Sequence, residues 1–271
     1  MFGQAYPQYL QEKILIPLGM KNTTTTAEGA AGMAQGNLTF FGSPIPYEER
    51  INQKYLVGCC GVISTVEDIG HYLIAQLNNG QYGEIQLVSL DSMRLMHTAP
   101  SGVEGFMGMQ YGMGWLVEEA GGIKQIEDPG NWTTYASEMV LLPEQGYGIA
   151  IIYNQGRIAP SLTSFPTFRE GAISLLNGRE PASGVTLKTY GLTLSTLVLL
   201  TIGLEIYALA RLPRWAKKAS NLPVWRRILA IGLPIVEAGL LSFGFPYLVA
   251  TMTAKTFVLK TALLWWTDLM G

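Results

Sequence analysis

Cysteine, histidine and charge are all scarce in this 271-residue chain. The two cysteines are neighbours, Cys59 and Cys60. Adjacent cysteines close a strained ring and have no third thiol to pair with, so they provide no disulfide framework and identify no redox compartment. The two histidines, His71 and His97, lack metal-ligand spacing, and helix-capping or surface roles are expected of them. No metal or other cofactor is implied. Charged residues make up 14% of the chain and leave a net charge of −2, which excludes a basic nucleic-acid-binding face. Residues 1–11 (MFGQAYPQYLQ) have neither a basic n-region nor an apolar core, so they are not a secretory signal.

Apolar residues are abundant in the last third. Two stretches, about 189–212 and 228–250, flank a segment carrying Arg211, Arg214, Lys217, Lys218, Arg226 and Arg227 with no acid. At ~1.5 Å per residue each stretch makes a helix of roughly 35 Å, enough to cross a bilayer core of about 30 Å. The sequence thus divides into a globular part, 1–185, and a membrane anchor, 186–271, with the lipid bilayer as partner. Lysine and arginine mark cytoplasmic loops, so 213–227 is expected inside and the globular part on the extracytoplasmic side. With no leader in 1–11, that orientation leads us to expect an export signal upstream. Residues 256–271, with Trp265 and Trp266, are a third segment that either spans or lies at the interface. Glu205 and Glu237 fall inside the apolar stretches; Glu205 is expected to snorkel to the cytoplasmic edge or pair with Arg211, and Glu237 to face another helix.

The globular part changes period midway. Residues 5–16 read as a helix stopped by Pro17, and 19–47 as loop. Thr65 is expected to cap a helix to Leu77, with Asp68 reaching back and Val66, Ile69, Leu73 and Leu77 facing the core. Asn78-Asn79-Gly80 should end it, and a shorter helix follows Ser89. Residues 111–118, 122–127, 135–142 and 147–154 read as strands with turns too short for parallel crossovers. A helix over 162–176 follows, packing through Phe165, Phe168, Ala172, Ile173 and Leu176. The expected class is α+β, an antiparallel sheet with flanking helices, followed by transmembrane helices.

Several segments carry a resemblance. Residues 14–23 (ILIPLGMKNT), 60–68 (CGVISTVED), 75–80 (AQLNNG), 111–115 (YGMGW) and 143–154 occur in an order similar to the serine β-lactamase and penicillin-binding-protein-like hydrolases, nearest the class C and esterase-like branch. The resemblance covers roughly residues 5–178 and implies a partial domain of that fold. It also implies hydrolysis of an acyl or peptide-like bond in a small-molecule substrate. That chemistry uses Ser-x-x-Lys, a Tyr-x-Asn loop and a strand motif lining the cleft. Neither Ser-x-x-Lys nor Tyr-x-Asn occurs here, so no catalytic residue is assigned. In relatives both lie upstream of the ILIPLGM segment.

The third motif aligns with Asp128-Pro129-Gly130, where Gly130 is kept and Asp128 replaces a cation or imidazole. Asp128, Gly130 and Tyr111 are therefore the cleft candidates. Read without the resemblance, 128–131 (DPGN) is a turn sequence. Ser64 and Thr65 are most simply a helix cap, Met107, Met109 and Met113 packing, and Trp115 and Trp132 core or rim. The implied function is that of a membrane-anchored serine hydrolase whose nucleophile is not in these residues. A non-catalytic binding or sensing module that keeps the fold is the alternative.

Overall fold

The computed structural model describes residues 3–40, 42–48, 61–100, 110–156, 160, 164–219, 222–229 and 232, with some side chains of the last helix outside that description. Cys59 and Cys60, Met107 and Met109, and Glu237 lie outside the described residues. The chain divides into two compact units, Met1–Tyr190 and Gly191–Gly271.

The first helical run of the first unit, α1, joins Tyr6–Leu10, a π-helical turn at Gln11–Leu15 and Ile16–Leu18 without a break. Pro17 does not stop it, contrary to the sequence reading. Proline has no N–H to give, and its ring crowds the carbonyl four residues back. The wider π turn, in which Ile16 N–H reaches Gln11 O, makes room for it. Gly19, with φ at 70°, ends the run instead.

The stretch expected to be loop contains an antiparallel hairpin, β1 (Asn37–Phe40) with β2 (Ser43–Pro46). Helix α2 (Val66–Leu77) starts where expected, with Thr65 Oγ1 accepting the Asp68 N–H at 3.3 Å. The Asp68 carboxylate does not reach back. It accepts the Asn22 N–H at 2.8 Å and the Thr23 hydroxyl at 2.7 Å, fastening α2 to the segment after α1. His71 reinforces this joint, its Nδ1 donating to Leu18 O at 2.8 Å. Of the residues expected to face the core from α2, Leu73 is buried, whereas Val66 is 45% exposed. Asn79 and Gly80, both at positive φ, end the helix. The short pair β3 (Gln81–Tyr82) and β4 (Ile85–Gln86) leads to α3 (Leu90–Met96), capped by Ser89 Oγ, which accepts the Ser92 N–H at 3.2 Å.

A five-stranded antiparallel meander follows: β5 (Gln110–Tyr111), β6 (Leu116–Ala120), β7 (Ile123–Asn131), β8 (Ala136–Leu142) and β9 (Tyr147–Tyr153). Each strand pairs with its sequence neighbour. One face packs Ile126 and Leu141 against Leu73 and Trp115. The other packs Ile123, Val140, Leu142 and Ile149 against Ile173 of α4 (Ser164–Leu176). Trp115 is thus core, while Met113, expected to pack, is 60% exposed.

Two expectations are corrected in the sheet. Asp128-Pro129-Gly130-Asn131 is no turn: β7 continues through it, paired as Asp128↔Met139, Pro129↔Glu138, Gly130↔Ser137 and Asn131↔Ala136. Pro129 is tolerated because pairing with β6 ends at Leu116↔Glu127, leaving this part of β7 with one unpaired edge. The packing stripe of α4 also differs. Phe165 and Ile173 are buried, but Phe168 is 61% exposed. Arg169, one turn from each of the buried pair, occupies the sheet-facing place and reaches Glu127.

The second unit is described through the single 33-residue helix α5 (Leu187–Ala219), which begins at the end of the first unit, and the helical residues 224–229. The helix runs into the basic segment expected to be a loop. Arg211 lies over the Tyr207 ring at 4.7 Å, while the Glu205 side chain lies outside the description. Among the described residues, no helix is long and apolar enough to cross a membrane.

Candidate functional site

Successive side chains of a strand point to opposite faces. Ile126, Asp128 and Gly130 therefore share the α2 side of β7, and Ile123, Gln125 and Glu127 share the α4 side. Gly130 stands opposite Ser137, and a Cβ added to it would lie 2.3 Å from Ser137 Oγ. Glycine is thus needed for a close approach, with the Ser137 hydroxyl filling the notch that its missing side chain leaves. Asp128 is exposed at the same end of the strand, and desolvation by its surroundings raises its carboxyl pKa. Tyr72 of α2 belongs to the same face. Burial, with a smaller contribution from the Asp128 charge, pushes its phenol up to about 12, and its ring stacks on Trp115 at 6.3 Å.

The end of this wall is closed by the segment before β1. Trp132 N–H donates to Tyr135 O at 2.8 Å, making the tight β7–β8 connection. Tyr135 OH donates to Ala34 O at 2.7 Å, and Asn154 Nδ2 to Gln35 O at 3.0 Å. Asn37 N–H returns to Asn154 O at 3.0 Å, so Asn154, just past β9, holds residues 35–37 across the sheet end. Gly156 fits beneath the connection, since a Cβ there would meet Trp132 O at 2.3 Å and Thr133 O at 2.6 Å.

Of the three residues proposed from sequence, Asp128 and Gly130 come together on one face. The register Tyr111↔Leu116↔Glu127 aligns Tyr111 with the opposite one. Sequence reasoning missed Ser137 and Tyr72. The alternation of β8 could have placed Ser137, two residues before Met139, on the Asp128 face. Nothing local marks Tyr72, because only the packing of α2 on the sheet brings it there. Ser64, expected to share in the helix cap, does not: Thr65 alone caps α2, and the Ser64 hydroxyl lies 2.7 Å from Thr23 Oγ1. His97 is half-buried, with Nε2 donating to Gln76 Oε1 at 2.8 Å and its ring edge-on to Trp115. Burial lowers its pKa, which favours the neutral ring. Among the described residues, no cluster of three or more His, Cys, Asp or Glu side chains could hold a metal ion.

Comparisons agree with this architecture. No curated protein matches the chain. The structure of the octameric penicillin-binding protein homologue from Pyrococcus abyssi is similar at 25% identity and a TM-score of 0.53 over 68% of this chain, which spans 40% of that one. A family model described as Beta-lactamase matches residues 1–164, more than half of the sequence. With the antiparallel sheet and its flanking helices, that match means that the chain belongs to the β-lactamase family.

Proposed function

We propose that residues 1–185 form the sheet-side wall of an acyl-binding cleft in a membrane-held serine hydrolase of the class C and esterase-like branch. The nucleophile of that reaction is supplied from outside these 271 residues. The observation carrying this reading is the wall itself: Gly130 and Asp128 on the α2 face of β7, with Ser137 packed into the glycine notch. A substrate carbonyl can lie along the edge of β7 that is left unpaired beyond Glu127. Asp128 adds selection. A carboxylate there disfavours an anionic acyl substrate and suits a neutral or cationic one, which favours ester, amide or amino-terminal peptide substrates over β-lactams.

The anchor belongs to the same proposal. At ~1.5 Å per residue the helix carrying 189–212 is about 50 Å long, and its described apolar side chains Leu192, Leu199, Leu200, Ile206 and Tyr207 are exposed. The apolar character of 189–212 rests on the full sequence, including positions such as Leu194, Leu197 and Val198 whose side chains fall outside the description. The stretch 228–250 lies mostly outside it.

The test is the nucleotide sequence upstream of the Met1 codon. An in-frame Ser-x-x-Lys followed by Tyr-x-Asn is expected. An in-frame stop there would overturn the hydrolase reading in favour of a binding or sensing module.

A further inference from the structure

The face of the sheet away from Asp128 holds a group of charges that the cleft does not use. Glu127 on β7 is fully buried and Glu138 on β8 nearly so. One guanidinium serves both: Arg169 of α4 lies with Nη1 2.8 Å from Glu127 Oε2 and 3.9 Å from Glu138 Oε2. The same guanidinium also donates to Glu170 Oε1 through Nη2 at 2.9 Å and through Nε at 3.1 Å. Glu118 of β6 faces the cluster as well, and Tyr153 of β9 borders it. Four carboxylates therefore surround one cation. Among the described residues, Glu127 Oε1, Glu138 Oε2, the Tyr153 hydroxyl and Gln125 Oε1 are buried without a hydrogen-bond partner.

A buried carboxylate pair with one shared cation and unpartnered oxygens is short of positive charge. The smallest ligand that supplies it is a proton, which turns an unpartnered acceptor into a donor and removes one like-charge repulsion. We propose that Glu127, Glu138 and Arg169 form a proton-binding latch that fastens α4 to the back of β7 and β8, and holds it more firmly as the medium becomes mildly acidic. The latch lies directly behind the candidate cleft wall, because Glu127 precedes Asp128 and Glu138 follows Ser137 in sequence.

The direction of the pH dependence follows from the geometry. Burial outweighs the Arg169 attraction and raises the Glu127 carboxyl to about 7, and raises Glu138 also. A carboxyl raised on folding makes the folded state hold more protons than the unfolded chain between the two values. Docking is then firmest below about pH 4.5 and weakens as pH rises through about 7. An ordinary exposed salt bridge does the reverse, weakening on acidification. His97 works against the latch in any whole-molecule measurement. Its depressed pKa costs stability as pH falls through its unfolded value, so the readout must be local to α4.

The experiment is hydrogen exchange of the α4 amides, residues 164–176, in the full chain, expressed as protection relative to the unstructured peptide. Protection should fall roughly ten-fold between pH 6 and pH 8. Glu127→Gln, which imitates the protonated acid, should raise protection at pH 8 and flatten the profile, and Glu138→Gln should do so in part. Protection that is constant over this range in the unaltered chain, or that falls toward pH 6, overturns the proposal. The wild-type profile decides even if a variant does not fold.

Discussion

Gly130 and Gly156 both fit tightly, but what they touch gives in different degree. At Gly130 the obstacle to a methyl group is the Ser137 hydroxyl, which can rotate; at Gly156 it is two backbone carbonyls, which cannot. Gly130→Ala should therefore cost only about 1 kcal/mol of stability, at the low end for overpacking, and Ser137→Ala should recover most of it. Gly156→Ala should cost about 3 kcal/mol and resist rescue by any side-chain change. Chemical denaturation of the four variants checks this. A severe loss in Gly130→Ala that persists in the double variant would mean that Ser137 is not what fills the notch. At this scale the motif alignment pointed to Gly130 and Asp128, which share one face of β7, but not to the residues that pack beside them. The alternation of β8 could have placed Ser137 opposite Gly130, but Tyr72 comes from α2, and no local rule brings it to the same face.

Among the elements, α4 gives the sharpest test of packing. Hydrophobicity alone counts Phe165 and Phe168 as equals, yet Phe165 is buried against Tyr153, with ring centroids 3.9 Å apart, and Phe168 is mostly exposed. Phe165→Ala should cost about 3 kcal/mol, and Phe168→Ala less than about 1 kcal/mol, in thermal or urea unfolding. Equal losses would place both rings in the core. Elements fixed by local chemistry were legible beforehand: the Thr65 cap, the helix start after Ser89, the left-handed stop at Asn79-Gly80 and most of the meander, although the strand expected over 111–118 is broken by a turn into β5 and β6. Those settled by partners were not. The turn chemistry of 128–131 lost to pairing with β8, and the stop at Pro17 lost to a π turn. The α4 stripe was misread because a partly buried arginine, answered by Glu127, is invisible to an apolar count. Leu38 and Ile45 pair in a hairpin that Gly, Thr and Pro neighbours disguised as loop.

For the molecule as a whole, the family follows from the sheet, its flanking helices and the match over residues 1–164, whereas the anchor is a proposal that rests on composition and charge alone. A reporter fused at Lys217 should behave as cytoplasmic, since arginine and lysine flanking an apolar helix remain inside. A reporter exported at that position contradicts the orientation and, with it, the placement of the cleft on the outer side. The cleft wall makes the more basic demand. The proposed role of the strand is to bind and orient an acyl group; without a serine activated by a neighbouring base it cannot open one. Each part of the reading, from the face shared by Asp128 and Gly130 to the source of the nucleophile, depends on that division of labour. The purified full chain, exposed in detergent to a fluorophosphonate probe and to a fluorescent penicillin, should acquire no covalent label. Stoichiometric labelling of any serine within residues 1–271 would contradict the account.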